Sequence, residues 1–212
     1  MRPFRQYRAG FAWSAAVAMA TSTFLSPVAA LAAETNTKVN LAQVMKRTVL
    51  VFPFDVPATV GNRDEVRGLL TDMAVSRLQA AGSYSITQYH RSLPTVARLH
   101  LDQQLTDADV TEPYAEDNTK GMKIAKLAGY DAVFLGSVDD YQFDDAQKQA
   151  KVLVAGRLLD VKTGKLIGTP VTLQAASTTG GTAKEADRAL EAARNAGQQL
   201  MTKLVPVTDV VT

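Results

Sequence analysis

The sequence predicts an α/β chain, of the α+β kind with one mixed sheet, in the order β-α-β-α-α-β-β-β-α. Three observations predict it. Short apolar runs rich in β-branched and aromatic residues alternate with longer stretches of helical period. The first strands are separated by helices, so they can pair in parallel, whereas the last three follow one another through hairpins and form an antiparallel meander. The chain has 212 residues, 46% hydrophobic and 21% charged, enough to bury a core.

Thr48-Val49-Leu50-Val51-Phe52-Pro53-Phe54-Asp55 is the first strand, feeding a turn at Pro53. A helix follows over 63–81. Asn62 is placed to cap it, with Glu65 completing a capping box, and Val66, Leu69, Leu70, Met73, Ala74, Leu78 and Ala81 form its apolar stripe. Gly82 offers the left-handed stop. Tyr84 to Tyr89 alternates as a second strand. A weaker helix lies between Arg91 and Leu105, with Pro94 in its first turn. The acidic stretch from Leu105 to Lys120 reads as a solvated connector, and its 105–117 part is the sequence's best candidate for a contact surface.

A short helix from Asn118 to Ala128 ends at Gly129, and Asp131 to Val138 is the strongest strand, continuing through Tyr141 and Phe143. Asp144-Asp145 turns the chain into a strand from Lys151 to Val161. Lys162-Thr163-Gly164-Lys165 forms a tight hairpin into a strand over 166–177, where Pro170 marks an irregularity. The closing helix spans 183–204. Thr182 and Glu185 are placed as its capping box, and small residues along its stripe allow close packing on a sheet.

The first 32 residues read as an export leader. Arg2, Arg5 and Arg8 precede 25 uncharged residues, Ala9 to Ala33, that end in small side chains after Pro27. Cleavage is expected after Ala32. The competing reading is an uncleaved membrane anchor, disfavoured by Ser14, Thr21, Ser22, Thr23, Ser26 and Pro27, which dilute the run. Residues 33–46 form a lead-in, 47–205 a single domain and 206–212 a tail. Of 23 basic and 21 acidic residues, the leader holds three arginines and no acid, so the trimmed chain has a formal net charge of −1. That leaves no basic excess for nucleic acid. The absence of cysteine excludes disulfides, thiolate metal sites, cysteine nucleophiles and a lipid-bearing cysteine. The expected location is the periplasm or the exterior.

Val49-Leu50-Val51-Phe52-Pro53-Phe54, Gly129-Tyr130-Asp131-Ala132-Val133-Phe134-Leu135-Gly136-Ser137-Val138 and Arg157-Leu158-Leu159-Asp160-Val161-Lys162-Thr163-Gly164-Lys165 carry a family resemblance. Over 48–204 the chain resembles the TolB N-terminal-domain-like superfamily. That superfamily includes the CsgG-like curli secretion proteins and outer-membrane lipoproteins that activate penicillin-binding proteins. The resemblance implies binding and assembly in the cell envelope, with no catalytic residues to carry over. Two departures count. The chain lacks the lipoprotein cysteine, and the 144–149 loop is too short for the hairpins that build the curli channel's barrel.

Five groups of residues are candidates for a site. Thr179-Gly180-Gly181-Thr182-Ala183-Lys184 opens a helix and reads either as a cap or as an anion cradle, without Walker spacing. Asp139, Asp140, Asp144 and Asp145 read as a solvated strand end rather than a calcium loop, since strand neighbours point to opposite faces. His90 and His100 fall off register for one helical face. Ser137 lacks the second glycine of a nucleophile elbow. Tyr84, Tyr89, Tyr114, Tyr130 and Tyr141 suit a binding rim or ordinary packing equally. The sequence therefore predicts no catalytic, cofactor-binding or metal residue. Its expected role is non-enzymatic binding of another envelope or secretion protein. The alternatives are a homo-oligomeric subunit of a CsgG-like export assembly, and a small-molecule or polysaccharide binder or hydrolytic enzyme.

Overall fold

In the computed structural model, which describes residues 46–204, the chain runs β1 (Arg47–Val51), α1 (Arg63–Ala80), β2 (Tyr84–Gln88), α2 (Pro94–Leu101), α3 (Asn118–Leu127), β3 (Ala132–Asp144), β4 (Gln149–Asp160), β5 (Val171–Ala176) and α4 (Glu185–Leu204). The five strands form one mixed sheet in the order β2-β1-β3-β4-β5. β1 pairs in parallel with β2 and β3, and β3, β4 and β5 are antiparallel neighbours. The expected order and the mixed sheet are both present. The predicted leader, most of the lead-in and the 206–212 tail lie outside the described residues.

Strand alternation sorts the core into two layers. Val49, Val51, Ala132, Phe134, Val152 and Val154 face α1 and α4. Leu50, Phe52, Val133, Leu135 and Leu159 face the other way, toward α2, α3 and the 105–117 loop. Pro53 breaks the alternation, so Phe52 and Phe54 fall into opposite layers although they are two residues apart. α1 and α4 come close because position 197 is glycine: a Cβ there would stand 2.8 Å from a Leu70 methyl and 3.1 Å from the Met73 sulfur.

Several expectations are corrected. Asn62 does not cap α1 with its side chain. It adopts φ +53°, and its Nδ2 donates instead to Glu65 Oε2 at 3.1 Å. α1 is held at this end by its first backbone bond, Val66 N–H to Asn62 O. α4 begins at Glu185, two residues beyond the position a Thr182 cap requires, and Asp187 accepts the Lys184 N–H at 3.4 Å. The strand expected from Leu166 touches the sheet there only as a bridge to Leu159, then resumes as β5 at Val171 opposite Gly156. Proline at 170 has no N–H to give a ladder at that gap.

The largest correction concerns residues 105–117, which are not a solvated connector. Leu105, Val110, Tyr114 and Ala115 are buried against the second face of the sheet. The Tyr114 ring packs on Phe52 at 4.7 Å and edge-on to Tyr89 at 5.1 Å, and Phe52 stacks on Tyr89 at 4.4 Å. Most of the acids in this loop are already paired: Asp107 with Arg91 and His100, Asp109 with Lys123, and Glu112 with Arg63 and Arg67.

Candidate functional site

The topology nominates a place before any side chain is considered. After β1 the chain crosses through α1 to β2 on one side. It then returns past α2 and α3 to β3 on the other side of β1. The connections therefore diverge at the carboxyl ends of β1 and β3, the position where open sheets with parallel strands leave a crevice. A cleft of about 740 Å³ opens there, lined among others by Asp55, Val56, Arg63, Glu112, Ala115, Asp139 and Arg157.

Asp55 is its structural centre. Just past β1, its backbone continues the parallel pairing with β3: its N–H donates to Gly136 O at 2.9 Å and its carbonyl accepts from Val138 N–H at 2.8 Å. Its Oδ2 accepts the Tyr114 N–H at 2.7 Å and the Ala115 N–H, tying the returning loop to the sheet. Its Oδ1 is buried without a hydrogen-bond partner among the described residues. Burial pushes the Asp55 carboxyl above its ordinary range, against the pull of the two backbone N–H donors. Glu112 adds to the rise and Arg67 opposes it.

Two guanidinium groups flank the cleft in fixed positions. Arg63 Nε donates to Val56 O at 2.6 Å, and its Nη2 reaches Glu112 Oε2 at 3.4 Å. Arg157, from β4, donates through Nε to Asn118 Oδ1 at 2.6 Å and through Nη2 to Ala115 O. Arg67 supports the arrangement from behind, bonding Glu112 Oε2 at 2.8 Å and Phe54 O at 3.3 Å. A β-bulge between Val138 and Asp140 carries Asp139 to the rim, where it accepts the Ser137 hydroxyl at 2.6 Å.

Of the residues the sequence singled out, Ser137, Asp139 and part of the 105–117 stretch (Glu112, Pro113, Ala115 and Glu116) line this cleft, and the remaining acids, the histidines and the tyrosines do not. Asp140 accepts from Gln142, Asp144 caps the turn through Gln147 N–H, and Asp145 meets Lys148. His100 Nε2 lies 3.2 Å from exposed Asp107, and His90 is exposed elsewhere. Tyr89 and Tyr114 are core rather than rim, and Tyr141 donates to Glu185 at 2.9 Å. The glycine loop before α4 is occupied by the chain itself: buried Arg188 donates to Gly180 O, Thr178 Oγ1 and Glu191 Oε2. Glu185 and Asp187 in the first turn already complement the helix dipole there. Among the described residues, no group of three or more His, Asp or Glu is placed to hold a metal ion.

Sequence reasoning missed Asp55, Arg63 and Arg157, and reached Glu112 only as part of the 105–117 stretch. The available signal was Asp55 itself, an acid following an apolar strand at its carboxyl end. The remaining members come from a helix start, a loop and a distant strand, and have no common spacing.

No family model matches the chain, and no curated protein does. Solved structures that match the chain include the PelC dodecamer from Paraburkholderia phytofirmans, at 13% identity over 76% of this chain and 89% of that one, with a TM-score of 0.41. Lipoprotein GNA1162 from Neisseria meningitidis is 16% identical over 65% and 87% of the two chains, TM-score 0.43. The LpoB C-terminal domain from Escherichia coli is 18% identical over 62% and 82%, TM-score 0.39.

Proposed function

We propose that this is an exported, non-enzymatic domain of the cell envelope that binds a segment of another envelope protein in the cleft at the ends of β1 and β3. The observation that carries this reading is the state of the two flanking arginines. Each is held at a cleft wall by a backbone carbonyl and a side-chain oxygen, so its remaining N–H donors are presented without the ordering cost a free side chain would bear. Arg is the residue most suited to such planar recognition. The one hydroxyl–carboxylate pair in the cleft among the described residues, Ser137 with Asp139, has no imidazole to take the hydroxyl proton, which supports binding over acyl transfer. Export rests on the basic, then uncharged, then small-residue order of the first 32 residues. No helix among the described residues is long and apolar enough to cross a membrane.

A photoreactive residue at Ala58, which lines the cleft and is exposed, tests the reading in intact cells. It is expected to label a discrete envelope protein, with labelling lost on Arg157→Glu and absent when the probe stands at Lys148. Equal labelling from both positions would overturn it, as would turnover of an envelope polymer by the trimmed chain. N-terminal sequencing of the exported form is expected to begin at Ala33.

A further inference from the structure

We propose that the end of the sheet opposite the cleft is a docking surface for an anionic membrane, bound by charge at its surface. The amino ends of β1 and β3 and the carboxyl end of β4 meet there, Val49 pairing with Ala132 and Ala132 with Asp160. Lys46 and Arg47 open β1, and Lys162 and Lys165 lie in the hairpin beyond β4. Lys126 stands in the last turn of α3, which runs straight into β3: the Gly129 N–H donates to Lys126 O at 3.3 Å and the Tyr130 N–H to Ala125 O at 2.9 Å. All five cations are exposed. A depression of about 680 Å³ lies between Lys46, Arg47 and Lys162.

Two acids line the same depression, Asp131 and Asp160. Asp131 accepts the Thr48 N–H at 3.0 Å and its hydroxyl at 2.9 Å, and Asp160 accepts the Thr163 N–H at 2.8 Å and its hydroxyl at 2.9 Å. These bonds hold both carboxyls below their ordinary range, so both are charged at neutral pH. Arg47 lies 3.9 Å from Asp160, and Lys162 acts on Asp131 through space. Two negative charges against five positive ones leave an excess of three. Among the described residues, Lys46, Lys126 and Lys165 have no ion pair. The cleft is built the other way, with Arg63 on Glu112 and Arg157 on two oxygens. Guanidinium groups fixed in place suit a ligand of one geometry. Lysines on unheld stems are point charges, and suit a diffuse anionic surface that has no fixed partner positions. Lys126 also offsets the carbonyl end of α3, but the other four stand on strand ends and a hairpin, where no helix dipole calls for them. Beside Lys126, Leu127 is 40% exposed and supplies an apolar side chain for the headgroup boundary.

Flotation of the exported chain with phosphatidylcholine vesicles, with and without phosphatidylglycerol, tests this. Binding is expected only where the anionic lipid is present, and is lost at high salt. Lys162→Glu with Lys165→Glu is expected to weaken it by about tenfold or more. Lys46→Glu with Lys126→Glu, drawn from the other side of the depression, is expected to do the same. Lys148→Glu with Lys151→Glu makes an equal change of net charge near the far tip of the β3–β4 hairpin, and is expected to bind as the parent does. All six positions are exposed, so the core is untouched. Equal flotation on both vesicles would overturn the proposal, as would equal weakening by all three double variants, which would report net charge and no surface. Retention on soluble polyphosphate without flotation would show that this end reads a polymer, and would overturn it too. Every cleft residue is intact in these variants, so loss of vesicle binding and loss of partner labelling from Ala58 are separable results.

Discussion

On one face of the sheet, α1 and α4 meet the strands mostly through aliphatic and small side chains around the Phe54–Phe134 ring pair, with Ala189, Ala193, Ala196 and Gly197 bringing α4 close. On the other face the cover is an eight-residue α2, a ten-residue α3 and the 105–117 loop, and the contacts are aromatic: Phe52, Tyr89 and Tyr114. A long helix satisfies its own backbone polar groups and needs only an apolar stripe to stay in place. An irregular cover has to have its N–H and C=O groups satisfied one by one. Asp55 does this for Tyr114 and Ala115, the Tyr114 hydroxyl for Val110 O at 2.7 Å, and Arg157 for Ala115 O. That is why Asp55 and Arg157 stand beside this loop, and why the cleft opens at its margin.

The largest effect expected from breaking this contrast comes from Phe52→Ala compared with Leu200→Ala. Both side chains are fully buried, and large-to-small changes of these kinds cost about 3–5 and about 2–5 kcal/mol respectively. The distinction lies in where the damage appears. Phe52 is a ring partner of both Tyr89 and Tyr114, so its removal is expected to free the 105–117 loop and make it the first site of limited proteolysis. Leu200→Ala is expected to lower global stability with that loop still protected. Cleavage in the same place for both variants would show that the two faces are not held separately.

Tyr114→Phe sharpens the comparison by keeping the ring and removing one oxygen. The lost bond is to Val110 O, a buried carbonyl left without this donor, so the expected cost is about 1–2 kcal/mol in chemical denaturation. The equivalent position on the α1–α4 face is Thr71, whose Oγ1 accepts the Phe54 N–H at 3.1 Å. A cost near zero would mean that ring packing alone holds the loop.

What could be read from the sequence follows the same division. The α1 and α4 stripes repeat with the helical period and β1 and β3 are continuous apolar runs, and each lies where it was expected, although β1 ends at Val51 rather than Asp55. The burial of 105–117 was not legible, because Leu105, Val110, Tyr114 and Ala115 follow no period and lie among acids that look solvated until their cationic partners are brought in by α1 and α3. The caps failed for a local reason. Asn62 entered the left-handed region and Arg188 took the 178–180 loop, so neither of the side chains expected as a cap stood where a cap is made. The cleft depends on Asp55 meeting residues 59 and 60 positions away, a coupling that chain spacing does not encode.

The smallest expected effects are electrostatic and run in opposite directions at the one loop, for Asp109 within it and Asp55 beneath it, which makes them a sensitive check. Lys123 and the Thr106 backbone N–H hold Asp109 down at about 2, from an ordinary 3.8. Its contribution is therefore present above pH 3.8 and lost as pH falls toward 2. For a partly exposed pair this is about 0.5–1 kcal/mol. Burial raises Asp55 above 3.8, so its sign is reversed: the folded state is favoured below that pH and loses the advantage as pH rises through the folded value. Urea midpoints from pH 2 to 7 separate the two. Asp109→Asn is expected to fall furthest below the parent near neutrality and to converge with it in acid. Asp55→Asn is expected to gain on the parent as pH rises, because the neutral amide has no charge to bury while its oxygen still accepts from Tyr114 and Ala115. Parallel curves for the two variants would mean that the carboxylate between β1 and the loop is solvated like any surface acid, and the cleft would lose the fixed wall on which its recognition of a partner depends.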